Sequence, residues 1–207
     1  MIQNIIPALQ QLQKVVQDRL GAYFSTNKRR TRNFELTPLK LSDTEDPLAR
    51  FIQYYQLSTE ESLLVLIALA PHVLPDFYDT LIAQYLPEGG NFPAFGGVKG
   101  EHRRTMLPTG ETALFILAGN DVQRRLQLQM LLSNEHFFTK QKILYLDQVK
   151  SGEPLMSGKL ILDQEYVEMF TLGQISIPKL STNFPAQYIS TELEWQDLVL
   201  HEQTLTQ

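Results

Sequence analysis

Lys99, His102, Arg103 and Arg104 crowd the end of "EGGNFPAFGGVKGEHRR", the stretch 88–104, which also holds five glycines and Pro93. Cationic side chains on a glycine-rich loop are the raw material of a phosphate cradle. A Walker A loop, however, needs G-x-x-x-x-G-K-[ST] between a strand and a helix, so that backbone N–H groups and the lysine hold the phosphates together. Here Gly100 follows Lys99 where Ser or Thr is required, and no strand is expected before the loop. No G-x-G-x-x-G follows a strand either. The four basic residues therefore read in one of two ways, as a solubilising loop surface or as a contact for an anion or a protein partner. The glycines and Pro93 mark a loop, ordered or mobile.

The remaining chemistry is sparse. His72, His102, His136 and His201 show no H-x-x-x-H or H-x-H spacing, and the pattern supports no zinc site. The chain has no cysteine, which excludes disulfides, thiolate metal ligands and a cysteine nucleophile. No Ser-His-Asp order and no G-x-S-x-G elbow stands out. No catalytic residue and no metal ligand is assigned, and these residues are read as non-enzymatic.

A second candidate surface lies at 121–133, "DVQRRLQLQMLLS". Read as a helix, it is expected to turn Val122, Leu126 and Met130 inward. Gln123, Arg124 and Gln127 then face outward, with Arg125 beside them. Arg and Gln are side chains that read base edges in the major groove. They are also good helix formers on any solvated face. The formal net charge of −5 does not favour a dedicated nucleic-acid binder. DNA contact, protein contact and a solvated face all stay open.

These surfaces are positioned by a mainly helical chain. Ile2, Ile5, Ile6, Leu9, Leu12, Val16, Leu20 and Tyr23 recur at helical spacing, with Asn4 as a candidate cap and Pro7 in the first turn. That stripe must be covered by something, and self-association is one way. "STNKRRTRN" (25–33) is a polar basic run, a solvated linker or a phosphate contact. Asp46 and Pro47 open a helix over "DPLARFIQYYQ". "STEE" at 58–61 is a capping box. The helix it opens is apolar on every face, is expected at the buried centre, and is expected to stop at Pro71. Another helix follows near Pro75 and Asp76. "LPTGETALFILAGND" (107–121) is a helix capped by Thr109 and closed by Gly119. Only a tight glycine-bearing turn separates it from 121–133, the layout of a helix-turn-helix.

The period then shortens. "FFTKQKILYLDQV" and "PLMSGKLIL" put Ile143, Tyr145, Leu160 and Leu162 in rough alternation, as in a two-stranded ribbon. "DQEYVEMFTLG" closes with a short helix ending at Gly173. Helix, turn, helix and ribbon in this order describe a winged helix. The expected fold class is mainly α with a small β-ribbon: a helical N-terminal part plus a winged helix with a β-hairpin wing. The expected division is 1–33 for the amphipathic helix and basic linker, 34–173 for the helical and winged-helix domain, and 174–207 for an extended linker. The first twenty residues are not expected to act as a signal peptide, and the longest apolar run, 63–70, is too short to cross a bilayer. A cytoplasmic protein without membrane attachment is the expectation.

"LVLIALAPHVLPDFYDTLIA", "LPTGETALFILAGND", "KLILDQEYVEMFTLG" and "LEWQDLVLHEQTL" together resemble the N-terminal half of a family of bacterial AAA+ ATPases. Members carry a variant winged-helix region ahead of the ATPase module, and some are linked to contractile injection systems. The resemblance covers roughly residues 35–207. It implies that Trp195, Leu198, Val199 and Leu200 begin the joint into a C-terminal ATPase module, whose ATP and Mg site would come after Gln207. It also implies protein clients or injection-system components as partners, while the apolar stripe of the first helix leaves a homo-oligomer as a further option. The expected function is a recognition and adaptor region, and the alternative is a DNA-binding winged-helix regulator.

Overall fold

The computed structural model describes residues 4–25, 36–41, 45–90, 92–102 and 104–173. The chain divides into two units, 1–175 and 176–207. The first is described below. Trp195, Leu198, Val199 and Leu200 lie outside the described residues, as does Ile2.

Helix α1 spans Ile5–Phe24, α2 Pro47–Tyr54, α3 Thr59–Val73 and α4 Phe77–Ala83. The capping box of α3 is closed: Glu61 N–H donates to Ser58 Oγ at 3.2 Å, and Ser58 N–H donates to Glu61 Oε2 at 2.8 Å. Every residue from 62 to 70 is buried, so α3 has no outward face and the core forms around it. The helix continues through Pro71 to Val73 instead of stopping at the proline. A proline there has no N–H to give the carbonyl four residues back, which leaves Ile67 without its helical donor. The hydroxyl of Tyr78 donates to that carbonyl at 2.7 Å. The deficit is thus met from α4, and the helix keeps its last turn.

The apolar stripe of α1 (Ile5, Leu9, Leu12, Val16, Leu20) is buried against α3, α4 and a later helix of the same chain. Ile6 and Tyr23 remain exposed. Asn4 is buried but its side chain makes no capping bond. Its N–H donates to Asp46 Oδ2 at 3.1 Å, while Asp46 Oδ1 takes the N–H of Leu48 at 3.0 Å. One carboxylate therefore starts α2 and tethers the entrance to α1.

The glycine loop contains strands that its sequence hides. Strand β1 (Val98–Lys99) pairs antiparallel with β2 (Met106–Leu107). The hairpin is anchored below by Phe95, which is fully buried against Tyr78, Phe92 and Phe115. Gly97, at φ +90°, gives its N–H to Thr109 Oγ1 at 3.1 Å, and Met106 N–H reaches Asp79 Oδ2 at 2.8 Å.

Helix α5 spans Gly110–Ala118, α6 Val122–Leu131 and α7 Phe137–Lys140. Thr109 caps α5 reciprocally with Thr112. Strand β3 (Leu144–Leu146) pairs antiparallel with β4 (Leu160–Leu162), in the register Leu144↔Leu162 and Leu146↔Leu160. The ribbon is shorter than its sequence suggests, because residues 137–140 turn as α7. Phe138 N–H donates to Nδ1 of His136, which starts that short helix, and Ile143 is buried just outside the strand. A 3-10 turn, Leu155–Ser157, precedes β4. Helix α8 (Gln164–Leu172) is capped by Asp163 and closed by Gly173 at φ +70°. The architecture is mainly helical with two small antiparallel sheets. Among the described residues no single helix is long and apolar enough to cross a membrane.

Candidate functional site

Asp121 starts α6 by accepting the N–H of Arg124 at 3.0 Å. The helix then packs the opposite way round from the sequence expectation. Val122, Leu126 and Met130, expected inward, are 68%, 59% and 70% exposed. The buried side belongs to Leu128, with Leu132 just beyond the helix end and Leu131 partly covered. The stretch 122–132 carries two apolar stripes, and the core takes the second.

The arginines follow from that choice. Arg124 lies against the body of the fold and donates to Glu60 Oε1 at 3.0 Å. Arg125 pairs with Glu111 through Nη2 and donates to the Gly119 carbonyl through Nη1 at 3.0 Å. Both cations are engaged within the chain, and Arg124, expected to face outward, is half-covered. Long aliphatic stems let an arginine cover apolar surface while its head meets a carboxylate. Gln123 and Gln127 are exposed, as expected. The outward face of α6 is therefore a ridge of Val122, Leu126 and Met130 bordered by neutral amides.

A third arginine, missed in the sequence, holds the turn between α5 and α6. Arg19 on α1 is 7% exposed. Its Nε donates to the Ile116 carbonyl at 2.9 Å and its Nη2 to the Leu117 carbonyl at 3.1 Å, filling acceptors that the end of α5 leaves open. Burial, then the charge of Arg124, lower its pKa to about 10, so the guanidinium stays charged at neutral pH. No local pattern marks Arg19, because its partners lie nearly a hundred residues away.

Lys99, His102 and Arg104 sit exposed on the β1–β2 hairpin, together with the acidic Glu101. Arg103 lies outside the described residues. The hairpin does not fit a nucleotide's phosphates. Lys99 is in β1, which turns straight back into β2 and does not lead into a helix N-terminus. Among the described residues no hydrogen bond or ion pair joins these cations to α6, so the two halves of the candidate set occupy separate elements. No group of three or more His, Asp or Glu among the described residues could hold a metal ion.

His136 links α7 to α3. Its Nδ1 accepts from Phe138, so the ring proton of the neutral imidazole is on Nε2, which lies 3.0 Å from Glu61 Oε1. The same Glu61 closes the capping box of α3.

Neither a known protein family, a curated protein nor a solved structure matches this chain.

Proposed function

We propose that this chain is a non-catalytic recognition region that docks a protein client for an AAA+ ATPase module, of the type linked to contractile injection systems. The observation that carries the recognition part is the outward ridge of α6, Val122, Leu126 and Met130, with both neighbouring arginines paired to carboxylates of the same chain. A contiguous apolar ridge on a soluble surface favours a protein partner. Its neutral border suits an amphipathic helix that lays its own apolar side across α6.

The finer fold reading is a winged helix. Supporting it, α5, α6, β3 and β4 follow in the expected order. In addition, Leu160 N–H donates to the Pro108 carbonyl at 2.9 Å and Gly110 N–H to the Gly158 carbonyl at 3.1 Å. The segment before α5 thus touches the start of β4 through one isolated antiparallel bridge, Thr109 opposite Lys159. The AAA+ assignment, with ATP and Mg in the ATPase module, and the cytoplasmic location rest on the sequence resemblance and on the sequence pattern alone.

The DNA-binding alternative draws support from the exposed Gln123 and Gln127, but the cations it needs on that face are paired with Glu60 and Glu111. The discriminating experiment has two arms. A photo-reactive residue at position 126 should crosslink, in the native host, to one polypeptide that is a substrate or component of the ATPase machine, and Val122→Asp should abolish the adduct. A labelled duplex at low ionic strength should show no binding. Retardation of the duplex with a steep salt slope would overturn the proposal in favour of DNA.

A further inference from the structure

A second surface, independent of α6, lies between α2 and α8. The two helices run antiparallel. Phe51 packs edge-on against Phe170 at 5.2 Å and against Tyr166 at 5.5 Å, and the hydroxyl of Tyr55 donates to Gln141 Oε1 at 3.0 Å. Between them runs an open groove of about 460 Å³. Pro47 and Gly173 border one end, and Tyr54, Tyr55 and Tyr166 the other.

Its chemistry is specific. The floor is Phe51 and Met169. Tyr54 is 79% exposed, with its ring against Tyr55 and no hydrogen bond to its hydroxyl among the described residues. Arg50 on one wall and Glu165 on the other are exposed, and neither has an ion-pair partner among the described residues. Along the groove Glu165 falls at the tyrosine end and Arg50 about one helical turn away.

The shape selects the occupant. The α2 wall is eight residues long, or about 12 Å, only two turns of a docked helix but about four residues of extended polyproline helix. Aromatic-lined grooves take such segments because their backbone is already ordered. Proline carbonyls accept hydrogen bonds without offering an N–H, and the unoccupied polar groups of Tyr54 and Arg50 are donors.

We propose that the α2–α8 groove binds an extended, proline-containing peptide of another protein, with a basic residue at Glu165 and an acidic residue at Arg50. The prolines lie across Tyr54, Tyr166 and Met169, and the two charges fix the direction of the chain.

The test uses the full chain and fluorescein-labelled decapeptides followed by polarisation. One probe carries two prolines between an aspartate and a lysine, one has the two charges exchanged, one has alanines for prolines, and one is an apolar helical peptide. The first probe should bind saturably and the others at least about tenfold more weakly, a difference of about 1.4 kcal/mol. Tyr54→Ala should weaken the first probe about tenfold. The double variant Arg50→Glu/Glu165→Lys should prefer the charge-exchanged probe, a reversal that a merely structural role would not give. All three side chains are exposed, and unchanged thermal melting checks the fold. Equal binding of all four probes, indifference to Tyr54→Ala, or no binding at millimolar peptide would each overturn the proposal. Leu126→Glu should leave this binding unchanged, so the groove and the α6 ridge fail or stand separately.

Discussion

The hydroxyl of Tyr78 occupies the place of the hydrogen-bond donor that Pro71 cannot supply, bonding the Ile67 carbonyl at 2.7 Å. Tyr78 is fully buried, and burial raises its pKa well above the usual tyrosine value. Tyr78→Phe should therefore orphan a buried carbonyl and lower stability by about 1–3 kcal/mol. Adding Pro71→Ala restores a backbone N–H at position 71 and should recover part of that loss. Denaturant melts of the single and double variants measure the coupling. Strictly additive losses would contradict the link.

Gly119 is held by two demands. Its φ of +60° disfavours an L side chain, and a Cβ there would stand 2.6 Å from Nη1 of Arg19. Gly119→Ala should cost about 1–3 kcal/mol from the backbone conformation alone, and more because the buried Arg19 must move. In an Arg19→Ala background the steric part should vanish. Thermal unfolding of the two singles and the double separates the terms.

The two stripes of α6 should respond in opposite ways. Leu128→Ala removes a buried side chain and should cost about 2–5 kcal/mol. Leu126→Ser acts on an exposed one and should stay within about 0.5 kcal/mol. Similar losses at both positions would put both stripes in the core.

Alkaline pH should unfold the protein through its tyrosines. Burial first, then the Tyr55 hydroxyl and the nearby carboxylates of Glu165 and Asp163, push Tyr166 up to about 12. Tyr145 is raised by burial and by Asp163 and Asp147. The fold therefore keeps protons that the unfolded chain releases near pH 10. The stability from these groups is complete below about pH 10 and falls as pH rises from there toward 12. Tyrosinate absorbance should show early-titrating tyrosines and a late class that appears only with unfolding. Tyr166→Phe should shrink the late class.

The neutral ring of His136 should carry its proton on Nε2 while it caps α7, because Nδ1 is an acceptor there. Ring nitrogen NMR shifts report the tautomer. Glu61→Ala removes both the imidazole partner and half of the α3 capping box, and should cost about 1 kcal/mol or more. A proton on Nδ1 of the neutral ring would contradict the capping geometry.

Much of the fold was legible because it is written over short distances. The caps by Ser58, Asp46 and Thr109 and the stop at Gly173 need only three or four residues each, and all stand where the sequence put them. The α5–α6 layout and the β3–β4 ribbon were readable for the same reason. The β1–β2 hairpin was not. Its strands are two residues long and its stability comes from Phe95, Thr109 and Asp79, none of which is a local strand signal. The α2–α8 groove was equally hidden, since its two walls are more than a hundred residues apart in sequence.

The sequence by itself determined most of the helical segments, α7 excepted, where most of them begin and end, and that α3 must be central, because capping and apolar periodicity act within a turn or two. It could not determine which stripe of α6 faces the core. Both stripes have helical spacing, and the one the core takes also lets Arg124 reach Glu60 on α3 and Arg125 reach Glu111 on α5. Only tertiary structure brings those carboxylates into reach. In doing so it buries the side that carries the arginines and leaves Val122, Leu126 and Met130 facing out.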